Sequence, residues 1–371
     1  MPKRKFPDLL HPIGGCGFIQ FWKLYFNNWP YTLYSLPSRL FSLMAVIFRV
    51  PAVFFEKIRH KNAINLQEIK DGPIFIVGHW RSGTTHLHNL LSQDDQFAFI
   101  TFSRSLMPLD CLGKLRPARA LMKIMMPKNR GMDKVAIGPD TPQEEEFALA
   151  ALGSVSFLKC LYFPRRIEEY FSSSIFLKCM SDQEKKSLKS AYLYLTKKMT
   201  YAHNGKTMLY KNPACTSRMS LLKEIFPNAK FIHIVRNPFE VFPSMMKLWN
   251  RMTPSFSWHR NASINYEEIT YSFYERIMKA HLKERQNIPS QDYHEVRYED
   301  LDSDPLTVVN DIYQGLGIKV KKESMIKIER YIEDQKKYQK NTHQLSDNIK
   351  KRLMKQWRFA FDHWNYTYPD N

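Results

Sequence analysis

The stretch GPIFIVGHWRSGTT (residues 72–85) decides the fold. Its first half is a short apolar run rich in β-branched residues and bounded by Gly72 and Gly78, which predicts a buried parallel strand. Its second half runs into HLHNLL (86–91), with apolar positions at helical spacing, so the unit is strand, glycine-containing turn, helix. Because backbone amides and the helix dipole converge at such a helix start, the turn predicts an anion site.

The residues of this loop separate it from the loop of a nucleoside triphosphatase. Gly78 and Gly83 have GxxxxG spacing, but Thr84 stands where such a loop carries its Lys. The cation is Arg81, which precedes the second glycine. A turn with only a structural role would not need an Arg, a Ser and paired Thr residues, so the sequence favours a phosphate site of another kind.

Further apolar runs alternate with helical stretches along the chain. We expect strands at Met208–Tyr210, Lys230–Val235 and Tyr293–Val296, and helices near Gln143–Phe163, Ser181–His203, Phe239–Trp249, Tyr266–Gln286 and Asp347–Phe361. Strands that alternate with helices form a parallel sheet. The predicted fold class is therefore α/β, a P-loop-like three-layer fold with a central parallel sheet flanked by helices, plus an N-terminal helical segment.

A second anion site is predicted where the strand at Lys230–Val235 ends. Arg236 follows that strand, and Ser244 lies eight residues later on the helix that begins near Pro238, so both side chains could face one pocket. A forked guanidinium and a hydroxyl suit a terminal phosphate monoester. Two anion sites at the carboxyl edge of one sheet indicate one ligand with two phosphate-like groups, because ligands of open α/β sheets bind at that edge.

Composition limits the partners and the compartment. The net charge is +19, which favours polyanionic partners such as nucleotides, nucleic acid or an anionic membrane. Five widely spaced cysteines without CxxC spacing indicate neither a disulfide framework nor a zinc site, so we expect reduced thiols, no metal and a cytoplasmic protein. Basic runs are interpreted as solvated faces, and no nucleic-acid partner is expected.

The N-terminal segment is predicted to be separate from the rest. We expect an aromatic and basic helical segment at residues 1–70 and the main domain at residues 71–371. Residues 18–55 are apolar but interrupted by charged residues and prolines, and we see no uninterrupted run long enough to span a bilayer. Two interpretations remain open for it: a helix peripheral to a membrane, or an amphipathic cap packed on the protein's own core.

Three motifs together resemble the sulfotransferases that use 3′-phosphoadenosine 5′-phosphosulfate (PAPS), in particular their broad bacterial-type branch. They are GHWRSGTT (78–85), FPNAKFIHIVRNPFEVFPSMMKLW (226–249) and VRYEDLDSDP (296–305). The resemblance implies that Arg81, Ser82, Gly83, Thr84 and Thr85 hold the 5′-phosphosulfate and that Arg236 and Ser244 bind the 3′-phosphate. It also implies that Tyr298 lies beside the nucleotide and that Lys211 neutralises the transferring group. The product would be adenosine 3′,5′-bisphosphate (PAP).

The catalytic base is less well specified. The chain has no His in KNPAC (211–215) and no Glu in the twenty or so residues after the loop, where related enzymes carry their base. Glu144 and Glu145 are the first candidates, on a resemblance of PQEEEF (142–147) to an acidic helix start of this branch, with ordinary helix-dipole complementation as the alternative. His79 and His86 follow. The stretch 341–343 also resembles a segment near the nucleotide.

The acceptor is inferred from indirect signs. The aromatic N-terminal segment and the apolar, Met-containing stretches 121–126 and 245–252 suit an apolar pocket wall, so we expect a hydrophobic alcohol such as a sterol or lipid. A carbohydrate or phenol acceptor, a P-loop kinase and a membrane-binding module are the alternatives. A homodimer is compatible with the sequence.

Overall fold

The computed structural model describes residues 11–113, 120, 122–124, 137–153, 155–259, 264–335 and 345–367. The chain forms two compact units. The first contains residues 1–70, 98–208 and 251–264, and the second contains residues 71–97, 209–250 and 265–371. The chain first passes between the units after residue 70, where the sequence places its domain boundary, but the first unit is discontinuous. The division into two continuous domains stays a prediction.

The described part of the first unit is helical. Its helices are α1 (Phe18–Asn27), α2 (Leu36–Leu66), α4 (Phe102–Leu106), α5 (Glu145–Ala151), α6 (Leu158–Tyr162), α7 (Ile167–Phe176) and α8 (Asp182–Ala202). A capping box starts α8, because the Ser181 hydroxyl accepts from the Glu184 amide and the Glu184 carboxylate accepts from the Ser181 amide. The predicted N-terminal helical segment is present as α1 and α2.

The second unit is built on the sheet. Its strands are β1 (Ile74–Val77), β2 (Phe97–Ala98), β3 (Thr207–Lys211), β4 (Lys230–Val235) and β5 (Tyr293–Arg297), with β2 and β3 starting or ending in the first unit's segments. Its helices are α3 (Thr84–Leu91), α9 (Met219–Ile225), α10 (Pro238–Phe256, whose last turns belong to the first unit), α11 (Tyr266–Arg285), α12 (Tyr298–Ser303), α13 (Pro305–Gly315), α14 (Lys322–Gln335), α15 (Asp347–Gln356) and α16 (Arg358–His363).

The sheet has the order β2-β3-β1-β4-β5 and confirms the predicted fold class. Strand β1 pairs parallel with β3 and with β4, and β4 pairs parallel with β5. Ile76 is in register with Lys211 on one side and with Ile232 on the other. Because these strands run in one direction, the loops after β1, β3, β4 and β5 all leave the same edge of the sheet.

The central strand is buried on both faces, which explains its continuous apolar sequence. Ile74 and Ile76 belong to a core cluster that includes Leu87 of α3 and Val309 of α13. Phe75 points to the opposite face and stacks on Phe231, with ring centroids 5.8 Å apart. This packing fixes the position of the loop that leaves β1.

Two predicted helices are each divided in the structure. Residues 143–163 form two short helices, α5 and α6, instead of one. Gly153, which follows α5, has φ +88°, a left-handed conformation that ends a helix. The helix expected near residues 347–361 is likewise divided, into α15 and α16.

Among the described residues, one helix, from Leu33 to Leu66, is long and apolar enough by length and composition to cross a membrane. It continues through Pro51, one of the interruptions seen in the sequence. A core helix of a soluble protein passes the same test, so length and composition do not decide its role.

Candidate functional site

The loop between β1 and α3 depends on its two glycines. Gly78 has φ +141°, and a Cβ there would lie 2.3 Å from the carbonyl oxygen of Ile234. Gly83 has φ +96°, and a Cβ there would lie 2.2 Å from Cδ2 of Tyr298. Both positions therefore require glycine, for conformation and for space. The Gly78 amide donates to Thr216 Oγ1 at 2.8 Å, which ties the loop to the turn after β3.

The remaining loop residues surround the start of α3. Thr84 is the first residue of the helix and is buried, and Thr85, which follows it, is partly buried. Ser82 is also buried, and its amide donates to the His79 carbonyl oxygen at 3.2 Å. The first amides of a helix have no acceptor within the helix, and the dipole makes this end positive. The predicted loop residues therefore lie together at a position suited to an anion.

Arg81 has a strained backbone, with φ +73°. A bulky residue in the left-handed region is uncommon, and such strain, on the order of 1–3 kcal/mol, is concentrated at functional sites. The side chain of Arg81 donates from Nε to Ser244 Oγ at 2.8 Å. The two anion sites inferred separately from the sequence, the loop and the Arg236–Ser244 pair, are therefore connected through Arg81.

Arg236 lies between the same groups. Its Nη1 donates to the carbonyl oxygen of Arg81 at 3.4 Å, and its Nη2 pairs with Glu240 at 3.3 Å. Its guanidinium carbon lies 4.3 Å from the centroid of the Tyr298 ring. The Nε group is buried and meets no hydrogen-bond partner within the described part of the chain. A buried donor of a cation without an acceptor is unfavourable, and an anionic oxygen of a ligand would satisfy it.

Tyr298 is the first residue of α12, directly after β5. Its ring lies against Gly83 and under Arg236. The neighbouring Glu299 accepts from the Asn237 amide at 3.0 Å and from the Tyr366 hydroxyl at 3.0 Å, which holds the turn that follows Arg236. The ends of β1, β4 and β5 thus supply Arg81, Arg236 and Tyr298 to one place.

Lys211 is the last residue of β3 and is buried, with 2% of its surface exposed. His88 of α3 is also buried, and burial, followed by the positive charge of Lys211, lowers the pKa of His88 to about 3. A hydrogen bond with the Leu209 backbone opposes this shift. His88 is therefore neutral near neutral pH. The positive charge of Lys211 therefore lies at the carboxyl end of β3, close enough to α3 to affect His88.

Sequence reasoning missed two residues of this site. Thr216 accepts from the loop through Gly78, and its place in KNPACTS, five residues after Lys211, was the signal. Glu240 pairs with Arg236, and the signal was an acid one helical turn after the arginine. Both residues set the geometry or charge of the predicted phosphate-binding groups.

The candidates for the catalytic base lie in different parts of the chain. Glu144 and Glu145 belong to the first unit, where Glu144 precedes α5 and Glu145 is fully buried. The next residue, Glu146, accepts from the Phe157 amide at 2.7 Å. His79 is buried, and burial lowers its pKa to about 4, against a hydrogen bond with the Trp80 carbonyl.

His86 lies in α3 and is partly buried. The stretch 341–343 lies outside the described residues, as do residues 121, 125 and 126 of the stretch 121–126. No observation on the described residues chooses among the candidates for the base.

Known proteins resemble this chain in sequence and in fold. The family model described as a sulfotransferase family matches residues 73–322. An omega-hydroxy-beta-dihydromenaquinone-9 sulfotransferase, Stf3, of Mycobacterium tuberculosis and its counterpart of Mycobacterium bovis are each 30% identical over 312 residues, which is 84% of this chain and 80% of theirs.

Two solved structures share the fold. Sulfotransferase STF9 from Mycobacterium avium has a TM-score of 0.69 at 16% identity, over 91% of this chain and 88% of its own. Sulfotransferase STF1 from Mycobacterium tuberculosis has a TM-score of 0.65 at 19% identity, over 84% of this chain and 85% of its own. The extent of the family match and the 30% identity to Stf3 establish that this chain belongs to the sulfotransferase family.

Proposed function

We propose that the chain transfers a sulfuryl group from PAPS to the hydroxyl of a hydrophobic alcohol such as a sterol or other lipid. The observation that supports PAPS as the donor is that Arg81, Ser244 and Arg236 lie together near the start of α3, and that the buried Nε of Arg236 has no acceptor among the residues the structure describes. The donor has phosphate oxygens at both its 5′ and 3′ ends, which matches this set of groups. When bound, it would supply the activated sulfuryl group.

The chain's own residues would stabilise negative charge at two ends of the donor. Arg81, Ser82, Thr84, Thr85 and the amides near Gly83 would hold the 5′ end, and the dipole of α3 adds to this. Arg236 and Ser244 would hold the 3′-phosphate, and Tyr298 would lie against the nucleotide.

Lys211 would stabilise the negative charge that develops during transfer of the sulfuryl group. Its ammonium is buried at the end of β3, beside the strand that leads into the loop. A preorganised cation in a site shielded from water stabilises developing negative charge much more than an exposed one. We therefore assign Lys211 to the transfer step rather than to ground-state binding. Glu144 and Glu145 remain the candidates for the base that accepts the acceptor's proton.

Two observations support a hydrophobic acceptor. The relative Stf3 is named for a menaquinone derivative, which is a lipid. The N-terminal helices of this chain also expose many large apolar side chains, among them Phe48 and Phe55. A carbohydrate acceptor would be expected beside polar surfaces instead. A cytoplasmic location and a homodimer stay predictions.

Transfer of labelled sulfate tests the acceptor. The protein is incubated with ³⁵S-labelled PAPS and a panel of long-chain alcohols, sterols, phenols and sugars, without added magnesium. The proposal predicts labelled product from a lipid alcohol or sterol and none from sugars. Labelling of sugars or phenols alone would contradict the hydrophobic acceptor. If the wild type labels an acceptor and Lys211→Met labels none, the result would support the role of Lys211.

A further inference from the structure

Helix α2 carries most of its large apolar side chains on the outside. Six of them form one stripe along the helix, in which each member is at least 41% exposed. At 100° per residue this stripe occupies a sector of about 100°. We call it the outer face; it consists of Leu36, Leu40, Met44, Ile47, Phe55 and Ile58.

The opposite side of α2 packs within the first unit, and most of its buried residues are polar; Val46 and Ile64 are the apolar ones. Ser42 is buried and donates to the Ser38 carbonyl oxygen at 2.8 Å. Arg49 pairs with Asp110 and donates to the Gly14 carbonyl oxygen at 2.8 Å.

Glu56 belongs to the same side. It is buried, pairs with Lys198 at 2.5 Å and accepts from the Leu112 amide at 2.6 Å. A helix on the surface of a water-soluble protein has the reverse arrangement, with apolar residues inward. The fold therefore accounts for the polar face of α2 and does not account for the apolar one.

This arrangement favours a helix that lies on a bilayer over one that crosses it. The buried contacts of Arg49 and Glu56 fix one side of α2 to protein along the helix, so lipid cannot surround it. The helix has 31 residues, or about 46 Å at 1.5 Å per residue, against about 30 Å for a hydrocarbon core. A helix with one broad apolar face and one face held elsewhere suits the boundary between headgroups and acyl chains.

Charge identifies the kind of surface. Within residues 11–66, Glu56 is the only acidic residue, and it is buried and paired. The exposed charged residues of that segment are all basic: Lys23, Lys57, Arg59 and Lys61. Basic residues beside an apolar face are attracted to anionic headgroups. A second copy of this chain would bring the same positive charges together, which disfavours self-association through this face.

We propose that α2 lies flat on an anionic lipid bilayer, with its outer face inserted among the acyl chains and its flanking cations at the headgroups. This deepens the proposed function and rests on it for its purpose, because a lipid alcohol is found in that environment. The docking itself does not require any particular acceptor, so the two can fail independently.

Vesicle flotation tests the docking. The full-length protein is mixed with vesicles of phosphatidylcholine alone or with 30% phosphatidylglycerol, and the bound fraction is measured against lipid concentration. The test variant is Leu40→Gln, Ile47→Gln and Phe55→Gln combined. The matched control is Leu193→Gln, Val320→Gln and Ile326→Gln, which changes three exposed apolar residues outside the outer face; they are 40–47% exposed, against 44–68% for the test positions. Thermal unfolding and PAP binding verify that each variant is folded.

We expect tight binding of the wild type and the control to anionic vesicles, with binding of the test variant weaker on the order of 100-fold, from three apolar side chains withheld from lipid. A further variant, Lys57→Glu, Arg59→Glu and Lys61→Glu, should lose the preference for anionic vesicles. Failure of the wild type to float, or equal binding by the test and control variants, would overturn the docking. Sulfuryl transfer from PAPS to a short-chain, water-soluble alcohol is measured for every variant. If all variants retain this transfer while the docking fails, the proposed activity stands without the docking.

Discussion

Gly83→Ala probes the contact on which the donor site is built. An L-residue held at φ +96° is strained by about 1–2 kcal/mol. The new Cβ would also lie 2.2 Å from the Tyr298 ring, so the ring must move by more than 1 Å, and overpacking of this kind costs about 1–3 kcal/mol. Together these lower the stability of the fold by about 2–5 kcal/mol, and the displaced ring also moves the surface of Tyr298 against which Arg236 packs. We expect PAP affinity to fall by at least about 30-fold.

The assay is calorimetric titration with PAP, paired with thermal unfolding. Gly205→Ala is the matched control, because Gly205 also has a positive φ, +83°, but a Cβ there meets nothing within 4 Å. It should lose a little stability and no PAP affinity. Adding Tyr298→Ala to Gly83→Ala removes the overlap, so the double variant should lose less stability than the sum of the single changes. Wild-type PAP affinity in Gly83→Ala, or strict additivity, would refute the reasoning.

Three further predictions follow from individual contacts. Lys211→Met keeps the volume of the side chain and removes its charge, so kcat should fall at least about 100-fold while the Kd for PAP changes less than about 5-fold. Lys206→Met, at an exposed position, is the control, and an equal loss in kcat and in PAP binding would contradict a role for Lys211 in the transfer step. Glu240→Gln removes a carboxylate that pairs with Arg236 at 3.3 Å and so competes with PAP for that cation. PAP should therefore bind about 3- to 10-fold more tightly, and weaker binding would be inconsistent with this competition. Burial lowers the pKa of His88 to about 3 from its ordinary 6.5, so the unfolded chain binds the extra proton and the free energy of unfolding should fall as the pH drops below 6.5. In urea unfolding between pH 6.5 and 5, His88→Gln should show a smaller loss, by up to about 1.4 kcal/mol per pH unit, and an unchanged slope would contradict a neutral buried His88.

The sheet was predictable because each strand has a strong local signal. The run at 230–235 coincides with β4, and the predicted strands before Lys211 and at Tyr293 are right to within one residue at each end. The break after α5 was missed, because a single Gly153 inside an apolar stretch does not distinguish a tolerated helix glycine from a left-handed end. The two-residue strand β2 has too few residues to show a period.

The donor groups were predictable as residues but not as contacts. A motif places Arg81 and Ser244 on two separate elements, and only the packing of β1 beside β4 brings Arg81 Nε to 2.8 Å from Ser244 Oγ. The ring of Tyr298 against Gly83 likewise depends on the pairing of β4 with β5. The apolar residues of the outer face of α2 are visible in the sequence, but the sequence does not show which side of the helix packs on the protein. The ion pairs of Arg49 and Glu56 determine the packed side and so leave the outer face exposed.

We expect the loop and Arg236 together to bind a bisphosphorylated adenosine nucleotide. Calorimetric titration of the wild type with PAP in the presence of EDTA tests it most directly, with ATP and magnesium as the competing ligand and Arg236→Ala as the variant. We expect one PAP site per chain without magnesium and little binding of ATP with magnesium. Arg236→Ala should bind PAP at least about 30-fold more weakly, because hydrogen bonds to a charged group are lost. Tighter binding of ATP with magnesium than of PAP, or unchanged PAP binding by Arg236→Ala, would contradict it.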